Sequence, residues 1–251
     1  MADEKLNEKV EEVVDAVEEQ VDEAPAPKKK RKNKLLILGI VVVVVAALGG
    51  GFWVWHETPG FCAAFCHNMD QYLSGYEQEQ GVQGIDKYGN AVSNTNAMMA
   101  VLHRQTNATA MPEIRCMGCH HPIIGEQISE GIGWATGNYL DPLDERVGGD
   151  LTHWWGEPAN NFCANENCHA YLLGDNGELS YGKLEKSTQS RAFNPHQQYH
   201  ENLSLDCTDC HKGHRASTVV CTACHQHENI DLPDGWITYA ESEALMSKQF
   251  S

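Results

Sequence analysis

Residues 35–55, LLILGIVVVVVAALGGGFWVW, form a run of 21 positions without a charge, apolar on every side rather than along one stripe. As a helix the run would be about 31 Å long at 1.5 Å per residue, the thickness of a bilayer hydrocarbon core. The pattern therefore predicts one transmembrane helix. The basic cluster KKKRKNK precedes it, and Phe52, Trp53 and Trp55 stand at its far end, where an aromatic belt meets the membrane surface. The basic side is expected in the cytoplasm and everything from His56 onward outside it. A cleaved signal peptide would have a shorter apolar core, about 7–15 residues, followed by an A-x-A-type site that is missing here.

Elsewhere the apolar pattern is weak. In residues 1–27, Leu6, Val10, Val13, Val14, Val17 and Val21 fall at helix-like intervals, yet ten acidic residues and two lysines share the stretch. A solvated acidic tail is the expectation, ahead of a short amphipathic helix, and Pro25 and Pro27 end it either way. Past the membrane run, helical pieces are predicted at residues 97–105 and 123–140, with loops between. The polar stretch 74–115 reads as a docking element or a cover. A domain with so few periodic apolar runs needs apolar area from something other than side chains.

Cysteine and histidine supply the candidate. The chain has ten cysteines and thirteen histidines, and all ten cysteines lie beyond the membrane run in five pairs, each followed directly by histidine. The sets are CAAFCH (Cys62, Cys66, His67), CMGCH (Cys116, Cys119, His120), CANENCH (Cys163, Cys168, His169), CTDCH (Cys207, Cys210, His211) and CTACH (Cys221, Cys224, His225). Three are C-x-x-C-H, the attachment signature of c-type haem, in which two thioethers fix the porphyrin edge and the next residue places an imidazole on the iron. The other two have longer spacers that loop out without separating the histidine from its second cysteine. Zinc ribbons and disulfides leave the five histidines unexplained. Five covalently bound c-type haems are expected.

Eight histidines remain, enough for a second axial ligand on most irons. His214 lies between the fourth and fifth sets and is placed to serve a neighbour; His196 and His200 flank the same region, and His103 precedes the second set. His121 is expected to point away, and His56, His153 and His227 to be ordinary polar residues. At the first set, Met69 stands two residues past His67, where a thioether ligand would raise the potential. The formal net charge of −17 argues against a nucleic-acid partner and for one with a basic docking surface.

The order of a single N-terminal membrane helix, FCAAFCHNM and IRCMGCHHP resembles the membrane-anchored multihaem quinol dehydrogenases that feed periplasmic nitrate and nitrite reductases, over roughly residues 35–140. That family carries C-x-x-C-H-x-M at its first haem, so the resemblance implies Met69 as an iron ligand and menaquinol or a related quinol as donor. Residues 194–236 are similar to the end of the tetrahaem domain of flavocytochrome c fumarate reductases and small tetrahaem cytochromes. This resemblance implies His196, His200 and His214 as distal ligands and an FAD-containing acceptor. No flavin-binding sequence is read in this chain, so that acceptor would be a separate protein.

The expected fold is mainly loop and short α-helices around haems, a multihaem cytochrome c, with one N-terminal transmembrane helix. Its parts are an acidic tail with basic stop (1–34), the membrane helix (35–55) and an extracytoplasmic pentahaem domain (56–251), quinol-dehydrogenase-like over 56–140 and tetrahaem-cytochrome-like over 160–236. The expected function is electron transfer in anaerobic respiration, from membrane quinol to an extracytoplasmic flavoprotein reductase, with no catalytic side chain assigned. Whether this chain itself oxidises quinol stays open. The alternative is a multihaem terminal reductase with its own open haem site, for which CAAFCHNM is the place; carbon monoxide binding would separate the two.

Overall fold

The apolar run forms helix α1, Lys34–His56, in a computed structural model that describes residues 34–65, 69–106, 113–121, 123–139, 145–153, 156, 158–197, 205–226 and 230–249. The acidic segment 1–27 lies outside the described residues. No residue of α1 is buried, Leu35 being 84 % exposed and Val54 69 %. A helix apolar all round with nothing packed on it has hydrocarbon as its natural surroundings. Among the described residues it is the one helix long and apolar enough to cross a bilayer.

The chain divides into two units, Met1–Phe52 and Trp53–Ser251. The first contains, among its described residues, most of α1. The second consists of short helices joined by loops: α2 Pro59–Phe65, α3 Asp70–Tyr76, α4 Met99–Arg104, α5 Cys116–Cys119, α6 Ile124–Thr136, α7 Ala159–Cys163, α8 Tyr181–Ser187, α9 Cys207–Cys210 and α10 Tyr239–Gln249. Strand β1 (Gly84–Ile85) pairs antiparallel with β2 (Ala91–Val92), and β3 (Thr218–Val219) pairs parallel with β4 (Ile237–Thr238), Thr218 opposite Ile237. Of the two predicted helical pieces, the first forms as α4. The second forms as α6 but stops at Thr136, because Gly137 turns left-handed (φ 72°) and its N–H closes on Trp134 O at 3.0 Å.

The stretch 74–115, expected as a docking element or cover, instead supplies the protein's own core. Val92, Ala97, Met98 and Val101 pack together with Ala216, and Trp236 and Ile237 close over them. Backbone hydrogen bonds fix this contact. Met99 N–H donates to Lys212 O, Ala100 to Gly213 O, Lys87 to His214 O and Ser217 to Ala97 O, each at 2.9 Å. The segment that follows His211 is thereby laced onto the loop that carries the core. Ten apolar side chains are buried among the described residues, four of them alanines. That is little for a unit of this length, in which well over half of the chain's surface is ordinarily buried on folding.

One turn in this assembly depends on glycine. Gly235 has φ 81°, and a Cβ there would lie 2.5 Å from Asn94 O and 2.7 Å from Asn94 Cβ. Gly235→Ala is expected to cost about 2–3 kcal/mol from the left-handed backbone and the collision together. A lowered Tm of the folded protein would register this; an unchanged Tm would mean that the turn before β4 relaxes freely.

Candidate haem sites

Each described Cys-Cys-His set is closed by the same backbone bond. In α5, His120 N–H donates to Cys116 O at 2.7 Å; in α9, His211 N–H donates to Cys207 O at 2.9 Å; in the turn after β3, His225 N–H donates to Cys221 O at 3.0 Å. The longer set behaves alike, with His169 N–H donating to Cys163 O at 3.2 Å. The extra residues form a bulge organised by Asn165. Its amide donates to Phe162 O (2.9 Å) and Asn161 O (3.2 Å), and its Oδ1 accepts from Asn167 N–H (2.9 Å) and Cys168 N–H (3.1 Å). The bulge thus leaves the first cysteine and the histidine in the relation they have in the short sets. At α9, Asp206 and Asp209 form a reciprocal capping box that fixes the turn.

Six histidines form three facing pairs. His120 faces His214 at 6.2 Å between ring centroids with an interplanar angle of 18°, His196 faces His211 at 6.3 Å and 28°, and His103 faces His169 at 6.1 Å and 89°. Each pair joins a motif histidine to one from elsewhere in the chain. His214, expected to serve a neighbouring set, lies opposite His120 of the second, because the lacing described above carries it there. His103 Nδ1 lies 2.8 Å from Met99 O, which fixes the proton on Nδ1 and leaves Nε2 as the basic nitrogen; His196 Nδ1 lies 3.1 Å from Thr188 Oγ1.

Desolvation favours the neutral form of five of these rings, those of His120, His169, His196, His211 and His214. It pushes His214 down to about 3, reinforced by neighbouring His120 and Lys87, and His211 down to about 4, reinforced by His196. His120, His169 and His196 are lowered for the same reason. A neutral imidazole is the form that binds metal.

The cysteines of successive sets meet. The Cys62 and Cys116 thiols are hydrogen-bonded, which pushes Cys62 up and Cys116 down to about 7; Cys163 and Cys207 are bonded in the same way. Cys119 lies near Cys168 and Cys163, and Cys210 near Cys221. The first set therefore meets the second and the third meets the fourth, while the second lies near the third and the fourth near the fifth. All of the described cysteines are free of disulfides.

Cys66, His67 and His200 lie outside the described residues. Met69 caps the start of α3, its carbonyl accepting from Leu73 N–H at 2.8 Å. His225 is held in the fifth set by its backbone bond to Cys221 O. His121, expected to point away, bonds through Nε2 to Gly118 O at 3.2 Å and lies edge-on to Phe162 at 6.5 Å.

Sequence reasoning missed the buried charges. Arg215 grips Glu145 through two bonds, Nε to Oε1 at 2.6 Å and Nη2 to Oε2 at 2.8 Å, and Lys212 reaches the same carboxylate at 3.3 Å. Burial opposes the Glu145 charge, but these two cations outweigh it and its carboxyl is held below its ordinary value. Lys87, 7 % exposed, sits against the rings of Tyr72 (5.2 Å) and Tyr88 (4.7 Å). The sequence signal was present in HKGHR, where basic residues alternate with the histidines.

These features fit haem. Two imidazole nitrogens bound to one metal at about 2 Å each, with ring centres about 1.2 Å further out, give centroids about 6.4 Å apart, close to all three observed spacings. The thin core leaves apolar volume for porphyrin, and Lys87 brings positive charge to the His120–His214 pair, where the propionates of a haem would need it.

The comparisons agree with this donor set. The cytochrome c3 family matches residues 152–226, which contain the third to fifth sets. The cytochrome c-type protein Cgr1 of Eggerthella lenta is 48 % identical over 200 residues, covering 79 % of this chain and 84 % of that protein. No solved structure matches the chain. With identity of that level across most of both proteins, and with Cys-Cys-His turns and neutral facing imidazoles in place, the chain belongs to the c-type cytochromes and carries covalently bound haem.

Proposed function

We propose that the chain is a pentahaem cytochrome c, anchored outside the cytoplasm by α1, that relays electrons from membrane quinol to a separate extracytoplasmic reductase. The observation that supports a relay is the proximity of cysteines from one set to the next, in chain order, from Cys62 to Cys221. Tethers that lie side by side would hold their groups as neighbours. Bound haem supplies a one-electron iron couple. The residues of the chain supply the rest. Paired imidazoles at three sites would hold an iron from both sides, a ligand set that favours electron transfer over substrate binding at iron. The Nδ1 bonds of His103 and His196 fix ring orientation.

Direction of flow follows from the two ends. Cys62 stands seven residues past Trp55, so the first set is tethered beside the membrane, where a quinol headgroup resides. The fourth and fifth sets stand furthest along the chain, in the stretch similar to flavin-serving domains, and form the exit. A net charge of −17 favours an acceptor with a basic docking face, and an FAD-containing reductase is the acceptor class that the resemblance supports.

The pairings have a spectroscopic consequence. Parallel imidazoles give ferric iron a rhombic low-spin signal, whereas crossed rings make two of its d orbitals nearly degenerate and shift the largest g value upward. The 89° pair, His103 with His169, is expected to give one such displaced signal beside rhombic ones, and His103→Met to abolish it. A spectrum of rhombic signals alone would contradict the crossed geometry. Rapid mixing with a menaquinol analogue tests the entry point. The anchored protein is expected to be reduced quickly, and a soluble form beginning at Glu57 to lose that rate while dithionite still reduces it. Equal quinol rates in both forms would refute entry at the membrane end.

A further inference from the structure

Helix α6 is turned the wrong way for water. At about 100° per residue, Ile124, Ile128 and Ile132 fall within one arc, with Ala135 inside it and Glu126 and Glu130 on the opposite side. The isoleucines are 76 %, 58 % and 59 % exposed, while Glu126 is 5 % exposed. Arg146 holds this orientation, donating from Nη1 to Glu126 and from Nη2 to Glu130 at 3.2 Å. A helix on an aqueous surface shows its acids and hides its isoleucines. Here Glu126 is clamped inward, Glu130 stays at the surface on the same side, and the isoleucines are presented as a continuous stripe, the mark of an interaction surface.

The character of the stripe distinguishes lipid from protein as its occupant. No charged residue lies on the arc, although a chain with a net charge of −17 would recognise a protein partner largely by charge. Trp134 (51 % exposed) and Tyr139 (44 %) stand at the C-terminal end of the helix, and these are the side chains that settle at headgroup level. α6 has no Lys or Arg to draw it to anionic lipid, so a free peptide of this sequence would bind membranes weakly. Tethering removes that weakness, because an anchored domain meets the bilayer at high effective concentration.

We propose that the Ile124–Ile128–Ile132 face of α6 lies in the bilayer interface, with the isoleucines among the acyl chains and Trp134 and Tyr139 at the headgroups. This rests on the membrane-anchored reading above and adds to it a second membrane contact, one that orients the haem domain rather than merely retaining it. The Arg146 clamp acts as a positioning device, burying Glu126 and pairing Glu130 on the side of the helix opposite the isoleucine stripe.

The test uses the full chain in phosphatidylcholine–phosphatidylglycerol vesicles, with a photoreactive phenylalanine analogue at Ile128 or, as a control, at exposed Lys186 of α8. Irradiation and mass spectrometry are expected to give phospholipid adducts at 128 and none at 186. The adducts at 128 should be lost when Ile124→Ser and Ile132→Ser are added, with the haem absorption spectrum unchanged to show that the domain is folded. Adducts to a second copy of the chain or to a co-purified protein, or no adduct at all, would overturn the proposal. Lipid adducts together with equal quinol rates in anchored and soluble forms would remove the entry site and leave the interfacial helix standing. Missing adducts with an anchor-dependent quinol rate would remove the interfacial helix alone.

Discussion

The opposition of two imidazoles from separate segments, with ring centres just over 6 Å apart, is the constraint on which the rest of this domain depends. That spacing is the one two imidazoles would have with a single metal ion bound between their nitrogens. Each pair unites segments distant in sequence, His120 with His214 and His103 with His169, and the backbone ladder between residues 87–100 and 212–217 serves to deliver His214 to its place. Burial then sets the chemistry, since a ring that resists protonation at neutral pH is always ready as a ligand.

The buried charges follow from the same constraint. A domain that draws its core from haem faces must accommodate the propionates that arrive with them. Lys87, Lys212 and Arg215 are all less than a tenth exposed, an unusual state for cations unless anions are close at hand. Glu145 answers two of them directly. Lys87, lodged between two tyrosine rings, acts on the His120–His214 pair and favours the anionic edge of the group expected there.

What could be read in the sequence was whatever is encoded locally. The membrane run is legible because it is uniform over its whole length, and the Cys-Cys-His sets because two thiols and an imidazole must share one turn. Even the long spacer of CANENCH could be interpreted, and the bond from His169 to Cys163 with the Asn165 bulge gives the physical reason. The list of spare histidines was also readable, but which motif each one faces was not. His214 sits three residues past His211 yet faces His120, because its partner is chosen by tertiary docking. The core of Val92, Met98 and Val101 was hidden for a related reason. Val92 stands alone among polar neighbours, and the short apolar run at 97–102 predicted a helical piece without showing what it packs against, so a docking element or cover was the expectation and a core was the outcome. Which side of α6 faces out was not legible, because it is set by the ion pair of Arg146 with Glu126, twenty residues apart in the chain.

The central proposal is a continuous row of five neighbouring haem sites, and its continuity requires the two long-spaced sets as much as the three short ones. Intact-mass measurement of the full-length protein, with haem quantified in parallel as the pyridine haemochrome, tests this most directly. Five covalent haem additions are expected. Three would mean that CAAFCH and CANENCH are left unfilled, breaking the row at its membrane end and again at its middle, and would contradict the relay.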